Sequence, residues 1–331
     1  MRILKNNSIP RESWYNLYKS ASRATPFQSP EYYEFVNSVP DFSAEVHAVE
    51  QNGQLLALCV TTIQKENGFK GYFSRRGIIY GGPILREDAS AELGFLLQSL
   101  NNDLKNKVIY LETRNSNNYM QFKEIFRKND WDYQPELNYH LDCSSEEIAW
   151  KNFNSSRKRQ IRKALKTGVT IEPASNENEV MEYYCILKNL YTTKVKKPLA
   201  SPAYFERMFK LGLAKFLLVK YSGKIIGGIV APVLENKCIY ELNICGLDKE
   251  YKEAYPSVMA TFAAIEYGYK NGIQRFDFMG AGFPDDDYGV REFKARFGGT
   301  EVEYGRFLHI FNSALYNMGK IAINKLKWIN T

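Results

Sequence analysis

Lys294 stands in the run Glu-Phe-Lys-Ala-Arg-Phe-Gly-Gly, behind a glycine-bearing loop and just ahead of Gly298-Gly299. Glycines let backbone come close to a substrate. A lysine ammonium beside a reacting carbonyl would stabilise the oxyanion of acyl transfer. One such donor in a dry site is worth about 2.7–4 kcal/mol of barrier. The plain alternative is an exposed lysine on a short helix. Asp277 and Glu241 are carboxylates of a kind that can take a proton from an attacking amine. Tyr240 and Asn243 share one alternating strand, and Tyr255 precedes Pro256-Ser257, where a helix should open and anions tend to bind. Their alternatives are core packing and a helix staple. Asp285-Asp286-Asp287 has neither an EF-hand register nor distant ligands, so it reads as a solvated loop and no metal is expected.

Other chemistries are excluded by what is missing. The three histidines are scattered, and no HExxH, GxSxG or P-loop run occurs. The five cysteines show no paired spacing, and Cys59, Cys185 and Cys238 read as small buried hydrophobes. Apolar residues make up 44% and charged residues 24% of 331, a globular composition of two-domain length. The start, MRILKNNSIPRES, has no apolar signal segment, and Ile225–Leu234 is too short to span a bilayer. A soluble cytoplasmic protein is expected. The formal charge of +7 favours anionic partners.

The elements that would hold these residues come twice. In the second half, strands are predicted at Ala214–Tyr221, Ile225–Leu234, Cys238–Ile244 and Arg275–Met279. A helix from Pro256 carries Val258, Met259, Phe262, Ile265 and Tyr269 on one face. A short helix near Arg291–Phe297 and a strand within Glu301–Ile310 follow. The first half repeats the order, with strands at Ala44–Val49, Leu55–Ile63, Ile78–Tyr80 and Val108–Glu112, helices at Ala91–Leu104 and Tyr119–Lys128, and a last strand within Trp131–Leu141. Gly53 and Gly223 fall in equivalent turns. The reading is an internal duplication, with domains at 1–145 and 146–310 and a helix over 311–331 that returns to the first. Strand–strand–strand–helix–strand–helix–strand is the plan of the GNAT acyltransferase fold. The expected class is therefore α/β with mixed sheets, as two tandem GNAT-like domains.

Between the halves lies SSRKRQIRKALKTG, residues 155–168, with six cations and no acid. Ile161, Ala164 and Leu165 give it an apolar stripe, so it is an amphipathic basic helix. Arg157, Arg159 and Arg162 could form a phosphate surface for tRNA or a nucleotide-linked substrate. They could also touch an anionic membrane peripherally, or simply be solvated.

The run GIQRFDFMGAGFPDDDYGVREFKARFGG, residues 272–299, resembles the C-terminal signature of the FemABX peptidoglycan-bridge aminoacyltransferases. NSSRKRQIRKALKTGVTIE, and GGPIL after RRGIIY, are similar to other stretches of that family, so the resemblance spans nearly the whole chain. It implies two GNAT-like domains and attack by an amine on an activated acyl carbonyl. The donor it implies is aminoacyl-tRNA, with no tightly bound cofactor expected, and the acceptor it implies is an amine of a cell-envelope precursor. It further implies Lys294, beside Phe293, as the oxyanion-stabilising residue. Tyr240, Asn243 and Tyr255 become substrate contacts, and Lys197 and Arg76 phosphate contacts. Gln28 belongs to the family's Phe-x-Gln-Ser entry segment, here Phe27-Gln28-Ser29.

Two departures bear on substrates. Bridge-forming enzymes carry a lysine soon after the entry segment, where this chain has Phe35-Val36-Asn37, which weighs against a diphosphate-linked muropeptide. The loop Leu247–Ser257 has no glycine, unlike the pyrophosphate loop of acetyl-CoA enzymes. The competing expectations are an acyl-CoA or acyl-carrier N-acyltransferase acting on an amino sugar of a surface polysaccharide, and a non-catalytic binding module. Truncating Lys294 is expected to cripple turnover and spare folding.

Overall fold

A computed structural model describes residues 1–65, 70–87, 89–286 and 289–328. Asp287, the third aspartate of the loop, lies outside them. The chain divides into two units, one of residues 1–135 with 304–331 and one of residues 136–303.

Each unit is built on one mixed sheet, and the two sheets share a plan. In the first, strand order is Arg2–Lys5, Phe42–Gln51, Gln54–Gln64, Arg76–Gly81, Tyr110–Asn115, Arg306–Ile310 and Asp132–Gln134. In the second it is Thr170–Pro173, Ala214–Tyr221, Lys224–Leu234, Cys238–Tyr240, Arg275–Asp277, Leu137–Asp142 and Thr300–Glu303. Only the fourth and fifth strands of each path run parallel. The second and third are joined in both by a two-residue turn. Asn52-Gly53 and Ser222-Gly223 all have positive φ, the conformation that matches strand twist in tight hairpins.

The strand order corrects the predicted boundaries. The strand expected within Trp131–Leu141 is two strands, broken at Pro135, and only Asp132–Gln134 stays in the first sheet. Leu137–Asp142 pairs instead with Arg275–Asp277 and Thr300–Glu303 in the second. Reciprocally, the stretch 301–310 breaks at Tyr304-Gly305, and Arg306–Ile310 pairs with Tyr110–Asn115 and Asp132–Gln134. The sixth position of each sheet is thus filled by a strand encoded beside the other unit. Register is set by which face is apolar, so local pattern alone does not choose between two sheets of the same plan.

Helix Ser90–Leu104 covers one face of the first sheet with Leu93, Leu96, Leu97 and Leu100, all buried. Helix Pro256–Lys270 is the counterpart in the second and is buried on most of its surface, including Met259, Phe262 and Ile265. Helix Ser313–Trp328 is counted with the first unit, where Tyr316 meets the Tyr110 ring edge-on at 5.2 Å. Cys185 is exposed, against its expected burial, because it lies on the outer side of helix Glu177–Leu190.

Candidate active site

The second sheet opens at a defined point. The stretch predicted as one strand over Cys238–Ile244 breaks at Glu241-Leu242. Its first part runs parallel to Arg275–Asp277, ending with Tyr240 opposite Asp277. Its second part, Asn243–Gly246, pairs only with Lys224–Leu234 among the described residues. Glu241 N–H still reaches the Asp277 carbonyl at 2.9 Å, but beyond it the chain after Asp277 loses its neighbour on that side, while Phe278 N–H still donates to the Tyr139 carbonyl at 3.2 Å on the other.

Lys294 fills that gap. Its Nζ donates to the carbonyls of Phe278 at 2.5 Å and Gly280 at 2.9 Å, and it pairs with Glu241 Oε1 at 2.9 Å. An ammonium has three N–H donors, and three acceptors meet them. Its side chain is only 9% exposed and that of Glu241 3%, so the exposed-lysine alternative is excluded. Thr261 Oγ1 donates to the other Glu241 oxygen at 3.3 Å. Burial pushes the Glu241 carboxyl above its ordinary range, against the pull of Lys294.

A second buried carboxylate sits on the last paired residue. Asp277 Oδ1 accepts from Asn138 Nδ2 and from the Met279 N–H, each at 2.7 Å, and its Oδ2 lies 3.2 Å from His140 Nε2. Burial raises this carboxyl, but His140 and the hydrogen bonds prevail and hold it below the usual aspartate range. A depressed folded pKa stabilises above the unfolded value, near 3.9, and that stability goes as pH falls through the folded value. The wild-type melting temperature is therefore expected to fall more steeply than that of Asp277→Asn below about pH 4. Parallel pH profiles of the two melting temperatures would refute this.

The basic helix, Ser155–Lys166, turns one of its arginines inward. Asn154 caps it, accepting from Arg157 N–H at 2.8 Å. The Arg157 guanidinium is buried against the rings of Phe293 at 4.4 Å and Phe297 at 4.5 Å. It donates to the Phe293 carbonyl at 2.9 Å and to Gln160 Oε1 at 2.7 Å. Desolvation pulls its pKa down to about 10. Arg157 is thus no part of a phosphate surface, and the correction has a plain cause, since it shares the buried side with Ile161 and Ala164. It clamps the helix Gly289–Ala295 that carries Lys294. Arg157→Ala is expected to cost about 2–3 kcal/mol in urea unfolding, with little rescue by lysine, which lacks the planar face. Arg159 and Arg162 are exposed as expected, Arg162 lying 5.4 Å from the centre of the Trp150 ring.

The other predicted residues scatter. Tyr240 is fully buried, a core position. Asn243 lies at the opening, where its Nδ2 donates to Tyr191 Oη at 3.2 Å and its carbonyl accepts from Tyr183 Oη at 3.0 Å. Tyr255 has φ of 47° and packs half-buried at the head of its helix. Lys197 is exposed beyond the π-helical turn Tyr191–Val195. Gln28 and Arg76 belong to the other unit. Gln28 is buried there and cross-links backbone, donating to the Tyr80 carbonyl at 2.8 Å and accepting from Val60 N–H at 2.8 Å. Both ends of its amide are thus committed to structure, which corrects the substrate-contact reading. The glycines after Lys294 approach protein, not substrate. A Cβ on Gly298 would stand 2.2 Å from the Asn152 carbonyl oxygen, and one on Gly299 2.7 Å from that of His140.

Sequence reading missed Asn138, His140, Tyr191 and Asp248. Asn138 and His140 alternate on one strand face, a legible signal, but their partner Asp277 is 137 residues or more away. Asp248 Oδ1 accepts from Ser257 N–H at 3.0 Å, and the Ser257 hydroxyl donates to the same carboxylate. With Pro256 offering no N–H, the start of helix Pro256–Lys270 already holds an anion of its own.

Comparison with known proteins agrees with this architecture. A family profile described as an acetyltransferase (GNAT) domain matches residues 151–294. No curated protein sequence matches the chain. The crystal structure of FemX is similar with a TM-score of 0.73 at 15% identity, over 96% of this chain and 99% of that one. The C-terminal domain of a putative lysylphosphatidylglycerol synthetase from Agrobacterium fabrum is similar with a TM-score of 0.61 at 13% identity, over 95% and 96%. A tandem GNAT protein from the clavulanic acid biosynthesis pathway gives 0.56 at 8% identity, over 94% and 99%. Residues 151–294 thus match a GNAT acetyltransferase domain, and the chain that contains them has a tandem GNAT-like fold similar to that of FemX.

Proposed function

We propose that this acyltransferase moves an aminoacyl group from aminoacyl-tRNA to an amine of a cell-envelope precursor in the cytoplasm, at the sheet opening beside Lys294. The observation that carries the reading is the buried ammonium at the point where sheet pairing stops. The acceptor nitrogen attacks the ester carbonyl carbon, and the carbonyl electrons move onto oxygen. Lys294 exchanges the Gly280 carbonyl for that oxyanion, a charge-assisted bond in a dry site. Collapse breaks the ester bond, and the amine proton passes through water to the departing ribose oxygen. Phe293, held by Arg157, keeps Lys294 in place. Asn243, Tyr255 and Lys197 serve as acceptor contacts, and Arg159 and Arg162 as a tRNA phosphate surface.

Asp248 favours this donor over a CoA thioester. Its carboxylate stands where a pyrophosphate would need free amides and no negative charge. Millimolar CoA or acetyl-CoA is expected to leave the melting temperature unchanged, since a ligand that does not bind adds no stability. The direct test incubates the protein with tRNA carrying labelled amino acids and with envelope-precursor extracts. Label should move from tRNA to an amine. If it stays on tRNA with every extract while acetyl-CoA supports acylation, the reading fails. No helix of the described residues is long and apolar enough to cross a membrane.

A further inference from the structure

Two helices of the first unit expose apolar side chains that the transfer reaction at Lys294 does not use. Helix Lys70–Ser74 presents Tyr72, which is 54% exposed, beside the exposed Phe73. Helix Ser313–Trp328 presents Met318 and Ile321, each 56% exposed and about one turn apart. Ala314, four residues before Met318, is exposed on the same side, while Leu315, Tyr316 and Gly319 are partly covered. The two helices pack on each other and share an anchor. Ile109 N–H donates to the Arg75 carbonyl at 3.0 Å, just past the first helix. The Ile109 carbonyl accepts from Phe311 N–H at 2.9 Å and Asn312 N–H at 3.2 Å, just ahead of the second. Asn312 Oδ1 then caps that helix, accepting from Leu315 N–H at 3.0 Å.

The charge around these side chains has one sign. Residues 304–331 contain no aspartate or glutamate, and the helix sequence there carries Lys320, Lys325 and Lys327. Residues 70–76 likewise hold Lys70, Arg75 and Arg76 and no acid. The Arg75 guanidinium lies 4.8 Å from the centre of the Tyr72 ring, and Lys320 Nζ lies 5.5 Å from that of Tyr316. In each pair an aromatic body is joined to a positive tip. That combination suits the boundary between hydrocarbon and lipid headgroups.

Single exposed apolar residues are ordinary, but several on two touching helices mark an interaction surface. A second copy of the chain would set like charge against like charge. An anionic bilayer supplies both of the things this surface lacks, an apolar medium and negative charge. We infer that helices Lys70–Ser74 and Ser313–Trp328 form a peripheral docking surface for an anionic lipid bilayer. Tyr72, Met318 and Ile321 enter the headgroup boundary, and Arg75 and Lys320 meet the lipid phosphates. The basic helix Ser155–Lys166 is less suited to this, because Ile161 and Ala164 of its apolar stripe are buried and only Leu165 is exposed.

The test is flotation of the full chain with vesicles of equal parts phosphatidylglycerol and phosphatidylcholine, and with vesicles of phosphatidylcholine alone. The chain should float with the anionic vesicles and be released by high salt. Met318→Ser with Ile321→Ser, and separately Lys320→Gln with Lys325→Gln, should each weaken binding by about tenfold or more. Met318, Ile321 and Lys320 are exposed, so these changes open no core cavity, and an unchanged melting transition verifies this. Arg159→Gln with Arg162→Gln, on the second unit, should leave binding unchanged. Absence of flotation overturns the surface, as does wild-type affinity in both first-unit variants. Equal binding to the neutral vesicles overturns the anionic assignment, and loss confined to the Arg159 and Arg162 variant overturns the choice of helices. A dimer in sedimentation equilibrium that the serine variant abolishes would make a second copy the occupant and overturn the proposal. No acyl donor is present in these mixtures, so the outcome is independent of whether Lys294 supports transfer.

Discussion

Lys294→Met is expected to lower the unfolding free energy of the second unit by about 3–5 kcal/mol, since removing one member of a buried pair strands the other as a charge in the core. The methionine keeps most of the stem's packing, so the loss measures electrostatics and hydrogen bonds. Glu241, with a side chain 3% exposed, would have to take up a proton or open the structure to water. Two carbonyls, of Phe278 and Gly280, would also lose their donor. Adding Glu241→Gln removes the stranded charge and should recover a large part of the loss. Urea unfolding of the two single variants and the double measures this as a coupling energy. Additive losses would mean that the pair is not coupled. The buried pair thus leads to the opposite expectation from the sequence alone, by which truncating Lys294 spares the fold. An activity loss in such a variant is informative only beside its unfolding curve. Lys294→Arg, which keeps the charge, is the better probe of turnover.

Gly298→Ala should be nearly as damaging, by roughly 4 kcal/mol or more, a size that marks a specific steric failure. Gly298 has φ of +80°, a conformation that costs a residue with a Cβ about 1–2 kcal/mol by itself. The added methyl would then lie 2.2 Å from the carbonyl oxygen of Asn152. That atom is backbone at the end of helix Glu146–Asn152, so relief requires moving an element and not a side chain. Gly299 approaches the His140 carbonyl in the same way. Failure of Gly298→Ala to accumulate as folded protein, or a steep loss of melting temperature, is the expected readout. A change under about 1 kcal/mol would mean that the close approach is not held in solution.

Both predictions concern one stretch, and its two signature runs meet in space. The basic run supplies Arg157, and the Phe-Lys-Ala-Arg-Phe-Gly-Gly run supplies the two rings against which it packs. The second run then folds its glycines against Asn152 and His140. The loop carrying Asp285 and Asp286 is tied to this helix from the other side by Arg291, whose Nε donates to the Ala281 carbonyl at 3.1 Å. Lys294 is therefore fixed by contacts from several directions.

Much of this protein was determined by local pattern. The periodicity of Leu93, Leu96, Leu97 and Leu100, the turns at Asn52-Gly53 and Ser222-Gly223, and the repeated order of elements are each legible over a few residues, because a strand or helix face is chosen by its neighbours at short range. The position of Lys294 in its run was equally plain. What local pattern could not supply was which partner a charged residue meets. Arg157 looks like its neighbours Arg159 and Arg162 along the chain, and only the two rings more than 130 residues away turn it inward. Gln28 reads as a binding residue until Val60 and Tyr80 are seen to take up its amide. Lys294 could have been exposed, and the break after Tyr240, with Glu241 opposite, is what draws it into the sheet. The strand exchange belongs to the same class. Leu137–Asp142 and Arg306–Ile310 are each apolar enough for either sheet, and the choice between two sheets of one plan was made by tertiary pairing across more than 100 residues.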